Sequence, residues 1–423
     1  MNSPVIFVPG ITASDLHDAY QMPPEAVWTT IRTHHYERIT LHPDDQRYEF
    51  HEPARVVPGG PFPMIYENLV AEVRDGLSDD QEATAAVYPF GYDWRLPLDR
   101  TEESLAAFIE EVVDRTRLMG HYRHSDWADN PTVSLVGHSM GGLIIAGYIQ
   151  RHTGRRVHKV VTLGSPFQGS YEAILKVATG TADLGDDSGG ARERRMARMT
   201  PALYHLLPSF GGALNVDEGL EADIYRPAAW QPSVVGTLEK QVEGWSVSGD
   251  ELFARMLDAA AAHRARLAAL RLADHGMSDT DWLAVAGVDS ETRVELRVRS
   301  DETGAPRFDL RSDERRNDWD SEDETLRRRT GDGTVPLAGA IPQFLDESRL
   351  VCVKPGDFGY WEVRDRGLSR VAGFHGLLPK MNMLHRLTLR FLLGKDDSYG
   401  NTWGRALPGV TEWDPPLALA RKQ

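Results

Sequence analysis

Short runs of apolar and β-branched residues recur along the chain, and between them lie polar stretches with apolar residues at helical spacing. Runs of this kind, bounded by turn residues, are typical of strands that are buried on both faces. Strands that alternate with helices favour a mostly parallel, doubly wound α/β sheet, which binds ligands at the carboxyl ends of its strands. The predicted strands are Val5–Val8, Ala85–Tyr88, Val133–Val136, Lys159–Leu163, Leu283–Val288 and Leu350–Val353, with helices predicted at Ile65–Leu77 and Glu102–Leu118.

Two segments interrupt this alternation, and both are predicted to lie at the mouth of a binding site. The first carries aromatic residues among polar ones; the second contains a helical pattern rich in Ala, Leu and Arg. A later stretch, 300–329, is dense in charges of both signs, which predicts a solvated, mobile connection. The predicted domains are an α/β core of residues 1–170 and 280–400, a lid-like insertion at about 14–63, a mainly helical cap at 171–279 and a C-terminal tail at 401–423.

The composition is that of a globular protein with an acidic surface. Among 423 residues, 47 Lys and Arg face 63 Asp and Glu, which gives a formal net charge of -16. This charge argues against binding of nucleic acid and against attraction to anionic lipid, so any membrane contact is expected to be transient and apolar. No stretch approaches the ~20 apolar residues of a membrane span. The first predicted strand begins at Val5 without a leader-like segment, so a cytoplasmic protein is expected.

The segment Gly137-His138-Ser139-Met140-Gly141 joins a predicted strand to a helical pattern. In this GxSxG arrangement, glycines make room for a sharp turn that exposes the serine hydroxyl and points the next amide at a developing oxyanion. The motif therefore predicts Ser139 as a nucleophile and the Met140 amide as an oxyanion donor. The alternative is a glycine turn that only joins a strand to a helix.

An activated serine needs a base, and the base needs a carboxylate; in the α/β-hydrolase fold they follow in the order Ser, Asp or Glu, His. Asp332 lies between two glycines in a loop-like segment and is the preferred acid, although Asp-Gly pairs also form plain surface turns. Downstream of it stand His375 and His385. His375 is preferred as the base because its setting is loop-like, whereas His385 falls within a helical pattern.

Further residues are predicted around this site. Gly10 ends the first predicted strand and lets the chain turn, so that the Ile11 amide is the second candidate oxyanion donor. Phe167 and Gln168 follow the strand next to the nucleophile and are candidate acyl-pocket residues, with ordinary core packing as the alternative. The segment Tyr92-Asp93-Trp94-Arg95 predicts a buried ion pair between aromatic residues, with a structural role.

Several motifs, in the same order, resemble the lecithin:cholesterol acyltransferase and lysosomal phospholipase A2 family of α/β hydrolases. The resemblance covers the two core blocks and hardly touches the insertions. It implies an α/β-hydrolase fold with Ser139, Asp332 and His375 as nucleophile, acid and base, and with the amides of Ile11 and Met140 as oxyanion donors. The motifs are Pro4–Gly10, Gly91–Arg95, Gly137–Gly141, Leu163–Ser170, Gly331–Val335, and His375 ahead of Leu392-Leu393-Gly394.

These residues predict a serine acyl hydrolase or acyltransferase that acts on an acyl ester, lipid-like in character, through an acyl-enzyme. No metal or organic cofactor is implied. Two alternatives stay open. Secreted and lysosomal members of the family brace their membrane-contacting insertion with a disulfide, but Cys352 is the lone cysteine of this chain. The lack of a disulfide in the insertion favours an esterase or thioesterase that acts on a soluble or carrier-bound metabolite. A catalytically silent hydrolase fold that serves as a binding module is the alternative from another class.

Overall fold

A computed structural model describes most of the chain. The described residues are 2–29, 35–46, 48–50, 55–79, 82–179, 190–310, 314–359, 362, 373–396, 403–418 and 420–421. Parts of the predicted lid-like insertion, cap and C-terminal tail therefore lie outside the described residues, among them 30–34, 180–189 and 397–402.

The strands and helices alternate over the core blocks. The strands are β1 Val5–Val8, β2 Ser14–Asp18, β3 Glu25–Trp28, β4 Val56–Pro61, β5 Val87–Pro89, β6 Val133–His138, β7 Val157–Leu163, β8 Leu214–Val216, β9 Trp282–Gly287, β10 Thr292–Arg293, β11 Leu296–Ser300, β12 Pro306–Phe308, β13 Arg315–Arg316, β14 Val351–Val353, β15 Trp403–Gly404 and β16 Ala420–Arg421. The helices are α1 Pro63–Leu77, α2 Leu98–Arg117, α3 Gly120–Arg123, α4 Met140–His152, α5 Tyr171–Thr179, α6 Gly190–Arg198, α7 Pro201–Tyr204, α8 Pro232–Gln241, α9 Gly249–Ala268, α10 Glu324–Arg327, α11 Leu337–Ala340 and α12 Asn382–Leu393.

The central sheet has six parallel strands in the order β14, β9, β7, β6, β1, β5. These are the six predicted strands, so the predicted α/β class is confirmed. Residues such as Ile6, Leu135 and Val160 are fully buried, which explains why their runs are continuously apolar rather than alternating. Helix α1 packs against α12, and α2 packs against α4. In the part of the chain that the structure describes, no helix is both long and apolar enough to cross a membrane.

Two regions differ from a simple layered sheet. The described part of the first insertion contributes a small antiparallel sheet in the order β3, β2, β4. The prediction of an open connection at 300–329 was wrong for its first part, because β12 pairs with β11 and buries Phe308 against Trp230, with ring centroids 5.3 Å apart. These strands are too short and too charged on their outer face for periodicity to reveal them.

The second insertion packs onto the core through the long helix α9. Glu102 of α2 is fully buried, and its carboxylate accepts a hydrogen bond from His263 Nε2 at 2.8 Å and from the Arg266 guanidinium at 3.2 Å. Arg264, also on α9, donates to the carbonyl oxygens of Phe167 and His205. Polar groups of the core thus fix α9 in place.

Candidate active site

Ser139 lies on a sharp turn between β6 and α4. Its backbone has φ 54° and ψ -127°, a left-handed region that L residues rarely adopt and that is typical of strained functional turns. The neighbouring strand holds the turn, since the Ser139 amide donates to the Leu163 carbonyl at 2.9 Å. Side chains are excluded on either side: a Cβ on Gly141 would overlap the Val8 carbonyl, and one on Gly137 would lie 2.8 Å from Ile145. The sequence has glycine at the positions that this turn requires.

The structure brings Ser139, His375 and Asp332 together in one hydrogen-bond chain. His375 Nε2 lies 2.8 Å from Ser139 Oγ, and His375 Nδ1 lies 2.7 Å from Asp332 Oδ2. All three side chains are buried, with Asp332 only 1% exposed. An imidazole between a hydroxyl and a carboxylate can accept the hydroxyl proton while the carboxylate stabilises the resulting imidazolium. His375 lies 43 positions after Asp332 and 236 positions after Ser139, yet the three residues form one polar unit.

The Asp332 loop orients its carboxylate with backbone amides. Oδ1 accepts hydrogen bonds from the amides of Thr334 at 3.0 Å and Val335 at 2.7 Å, which leaves Oδ2 for His375. The loop packs closely on two strand ends. A Cβ on Gly287 would lie 2.5 Å from Asp332 Cβ, and one on Gly164 would lie 3.1 Å from Asp332 Oδ2. The ends of β7 and β9 therefore position the Asp332 side chain.

A second buried chain of hydrogen bonds lies beside Ser139. The Gly10 amide donates to Tyr66 Oη at 3.2 Å, Tyr66 Oη lies 2.9 Å from His138 Nδ1, and His138 Nε2 lies 3.0 Å from the His375 carbonyl oxygen. Burial, followed by the charge of nearby His375, lowers the pKa of His138 to about 3. Burial also raises the pKa of Tyr66. Both groups are therefore neutral at physiological pH.

The loop after β1 approaches Ser139 directly. A Cβ on Gly10 would lie 3.0 Å from Ser139 Cβ, so only glycine fits there without a shift. Thr12 has φ 60°, and its carbonyl accepts a hydrogen bond from Trp28 Nε1 at 2.9 Å, so the insertion holds this strained loop. Among the described residues, the amides of Ile11 and Met140 donate to no protein acceptor. Met140 is the first residue of α4, where amides have no partner within the helix.

A cavity of about 250 Å³ opens beside Ser139 Oγ. The first insertion, the loop after β1 and the cap helices α5 and α7 enclose it. Its lining is mainly apolar; apart from the two histidines, the acidic and basic side chains on it among the described residues are Glu172 and Lys176 of α5. The lining includes Ile11, Phe62, Ile65, Tyr66, Pro166, Ala173, Leu203, Leu206 and Val335.

Phe167 and Gln168, the candidate acyl-pocket residues, do not line this cavity. The Phe167 ring packs among core aromatics, 5.4 Å from Phe344. Gln168 Nε2 donates to the carbonyls of Ala338 and Ile341, at 3.3 Å and 3.0 Å. Both side chains therefore make ordinary core-packing contacts, as the alternative prediction had it. Their role in substrate binding stays a prediction.

The remaining candidates have structural partners. His385 lies in α12, and its Nε2 donates to the Pro379 carbonyl at 2.7 Å, as expected of a satisfied helix residue. Arg95 is 1% exposed and pairs with Asp93 at 2.6 Å and with Glu49 at 3.3 Å. The predicted buried ion pair is thus present, although its second carboxylate comes from the first insertion, which the motif does not contain.

Sequence reasoning missed Tyr66 and the cavity residues of the cap. Tyr66 lies in α1 at a position that helical periodicity assigns to the core, and nothing in the sequence separates its hydroxyl from that of any other buried tyrosine. The position of His138 inside the GxSxG motif indicated that it lies near the site. The partners of its ring, Tyr66 and His375, could not be read from the motif because they are remote in sequence.

Comparisons with known proteins agree with this architecture. A family model described as lecithin:cholesterol acyltransferase matches residues 62–235. This range includes α1, the sharp turn at Ser139 between β6 and α4 (the elbow) and much of the cap. A chain of the crystal structure of the Tle4–Tli4 complex aligns over 93% of this chain and 98% of its own, with TM-score 0.63 and 16% identity, a likeness of fold alone.

Other matches are weaker or shorter. Phospholipase PlaB from Legionella pneumophila aligns over 68% of this chain and 39% of its own, with TM-score 0.31 and 12% identity. Uncharacterized protein YJR098C of Saccharomyces cerevisiae is 29% identical over 89 residues, which are 21% of this chain and 12% of the length of the yeast protein. The chain thus has the α/β-hydrolase fold, and residues 62–235 confirm the resemblance to the lecithin:cholesterol acyltransferase family that its motifs indicated.

Proposed function

We propose that this chain is a serine acyl hydrolase or acyltransferase that acts on lipid-like esters through an acyl-enzyme on Ser139. The observation that carries the proposal is the hydrogen-bond chain from Asp332 through His375 to Ser139 Oγ, at the wall of a mainly apolar cavity. The family match over 62–235 supports an acyl-transfer chemistry on lipids.

The chemistry follows from the positions of the atoms. Ser139 Oγ forms a bond to the ester carbonyl carbon while its proton passes to His375 Nε2. The carbonyl oxygen becomes an oxyanion, and the amides of Ile11 and Met140 are the proposed donors to it. Collapse breaks the bond to the leaving alcohol, which takes the proton from His375 and departs. The acyl group then remains on Ser139.

The molecule that accepts the acyl group from Ser139 decides the product of the second half-reaction. Water, with His375 as base, gives a carboxylic acid and free Ser139; a second alcohol gives a new ester instead. A cap that excludes water favours the alcohol. Helices α5 and α7 of the cap form walls of the cavity. Transfer and hydrolysis would therefore use the same triad and differ in whether the cap admits an alcohol or water.

The cavity volume favours a second candidate, an esterase for small acyl groups. At about 250 Å³ the cavity is smaller than the ~300–1,000 Å³ typical of sites for drug-sized ligands. A short acyl chain is matched to this volume, whereas a long chain exceeds it. Chain-length preference therefore separates the two candidates.

The test measures turnover of p-nitrophenyl butyrate, octanoate and palmitate, and of phosphatidylcholine vesicles, by wild type and Ser139→Ala. We expect wild-type turnover and a loss on the order of a million-fold in Ser139→Ala, as for other serine nucleophiles. Butyrate as the sole substrate would favour the small-ester candidate; fatty acid from the vesicles would support the lipid ester. Turnover that Ser139→Ala retains would contradict the proposal.

Ser134→Ala is the matched control. Ser134 is a buried serine of β6, the strand that leads to Ser139, and it does not line the cavity. This variant should keep wild-type turnover. A fluorophosphonate labels an activated serine covalently, so failure of the wild type to react at Ser139 would support the silent binding module instead.

A further inference from the structure

The polar chain Gly10–Tyr66–His138–His375 allows one arrangement of its hydrogens. A carbonyl oxygen only accepts, so the bond to the His375 carbonyl requires the hydrogen on His138 Nε2. His138 is buried and neutral, so its Nδ1 is an acceptor and takes the Tyr66 hydroxyl hydrogen. The Tyr66 oxygen in turn accepts from the Gly10 amide. Each group has a partner, and each donates or accepts in the sense that its chemistry allows.

This chain connects the two halves of the proposed machinery. Gly10 precedes Ile11, the proposed oxyanion donor, and His375 is the proposed base. The His375 backbone is held on both sides: its amide donates to the Asp332 carbonyl at 2.9 Å, and its carbonyl accepts from His138 at 3.0 Å. The oxyanion loop and the base are therefore joined through two side chains, Tyr66 of α1 and His138 of β6, neither of which is hydrogen-bonded to Ser139 Oγ.

The neutral state of His138 matters because its ring lies close to the base. The ring centroids of His138 and His375 are 5.0 Å apart. When His375 takes the Ser139 proton it becomes a cation, and a second cation at this distance would oppose that step. A neutral His138 holds the backbone of His375 without repelling its imidazolium.

We propose that Tyr66 and His138 are positioning residues that hold the oxyanion loop and the base of the triad at a fixed separation. The proposal rests on the proposed acyl transfer at Ser139. It predicts that loss of the Tyr66 hydroxyl slows the chemical step rather than weakening ester binding, because the apolar wall of the cavity is unchanged. A small displacement of a catalytic group costs up to about 100-fold in rate.

Tyr66→Phe is the direct test. The substitution keeps the ring that packs against Phe7, at a centroid distance of 4.7 Å, and removes only the hydroxyl. With p-nitrophenyl butyrate we expect kcat to fall about 10- to 100-fold while KM changes less than about 3-fold. The rate of fluorophosphonate labelling should fall by a similar factor, since it depends on the same base and oxyanion donors.

Tyr122→Phe is the matched control. Tyr122 is also fully buried, and its hydroxyl accepts from the Ala86 amide at 3.1 Å, the same bond type as between Gly10 and Tyr66. Tyr122 does not line the cavity. We expect both variants to lose a similar amount of thermal stability, with kcat reduced only in Tyr66→Phe. Equal effects on kcat would overturn the proposal, since they would reflect the loss of any buried hydroxyl.

A pair of variants at His138 gives a second readout. Gln carries an amide donor that can reach the His375 carbonyl, whereas Ala carries none. We expect His138→Gln to recover at least about 10-fold of the kcat that His138→Ala loses. Equal activity of the two variants would overturn the proposal. If the wild type turns over the ester and Tyr66→Phe keeps full kcat, the positioning role alone is overturned. If the wild type shows no turnover, the proposed function is overturned.

Discussion

Both carboxylate oxygens of Asp332 have partners, and the partners differ in kind. Oδ1 accepts from two backbone amides, and Oδ2 faces His375 Nδ1. The loop therefore fixes which oxygen meets the imidazole, and the carboxylate fixes which nitrogen of His375 carries the hydrogen. The turn formed by Gly331-Asp332-Gly333-Thr334-Val335 thus sets the orientation of the His375 imidazole.

Asp332→Asn tests this orientation. Asn can keep the oxygen that accepts from Thr334 and Val335, but then presents an amide donor to His375 Nδ1. The imidazole would have to place its hydrogen on Nε2, where it can no longer accept the Ser139 proton. We expect kcat to fall on the order of 10,000-fold with little change in melting temperature. Near-wild-type turnover in this variant would mean that Asp332 does not orient the base.

Gly164→Ala tests the close packing behind the triad. Gly164 has φ +59°, and a Cβ there would lie 3.1 Å from Asp332 Oδ2 and 3.3 Å from His375 Nδ1. Gly276→Ala is the control, because Gly276 has φ +76° with open space around its Cβ. The control should lose only the backbone cost of about 1–2 kcal/mol in unfolding free energy. Gly164→Ala should lose more and also lose activity; equal losses and full activity would contradict this packing.

The sequence pointed to Ser139, Asp332 and His375, which the structure brings together, because each lies in a recognisable local pattern. The sharp turn at Ser139 needs glycines, Asp332 lies between two glycines, and a loop-like setting separated His375 from His385. Tyr66 could not be predicted, since its role depends on which remote groups meet its hydroxyl. Phe167 shows the same limit: its position after a strand favoured the site, but its ring turns into the core.

At the scale of elements, the buried parallel strands were visible in the sequence because each is a continuous apolar run between turn residues. The antiparallel strands outside the central sheet were not, because they are short and carry charges on exposed faces; β12, Pro306–Phe308, buries only its Phe308. The attachment of α9 to the core was also hidden, since Glu102 and its partners of the cap lie more than 160 residues apart.

Glu102→Ala tests the attachment of the cap. The substitution removes the buried carboxylate that accepts from His263 and Arg266. Loss of one partner from a buried polar cluster costs about 3–5 kcal/mol in unfolding free energy, measured by urea denaturation. Glu103→Ala is the control: Glu103 is exposed and pairs with Arg151 at 2.8 Å, so it should cost less than about 1 kcal/mol. Similar losses in both variants would show that Glu102 does not fix α9.

At the scale of the whole molecule, the fold collects the site at one edge of the sheet. Gly10, Ser139 and Gly164 each follow the carboxyl end of a neighbouring parallel strand, and Gly287 at the end of β9 contacts Asp332. The strand order β9, β7, β6, β1 therefore brings Asp332, Ser139 and the loop after β1 side by side. The insertions then cover this edge and give the cavity its walls.

The buried histidines make stability depend on pH. Burial lowers the pKa of His138 to about 3, and it lowers the pKa of His205 and His263 well below the usual value. The unfolded chain therefore binds more protons below pH ~6.5, so the folded state loses stability as pH falls from ~6.5 towards ~3.

Urea denaturation at pH 7 and pH 5 measures this loss. His138 alone should contribute on the order of 2 kcal/mol at pH 5. His138→Gln, which has no titrating ring, should lose correspondingly less between the two pH values. Equal losses in wild type and variant would contradict the buried, neutral state of His138.

The most direct test of the account is to find the acyl group on Ser139. Wild type and Ser139→Ala are mixed with p-nitrophenyl butyrate, quenched with acid within the first turnover, digested and examined by peptide mass spectrometry. The account predicts a butyryl group on the wild-type peptide that contains Gly137-His138-Ser139-Met140-Gly141, and no such adduct in the variant. Turnover with no adduct on that peptide, or an adduct on another residue, would contradict Ser139 as the nucleophile.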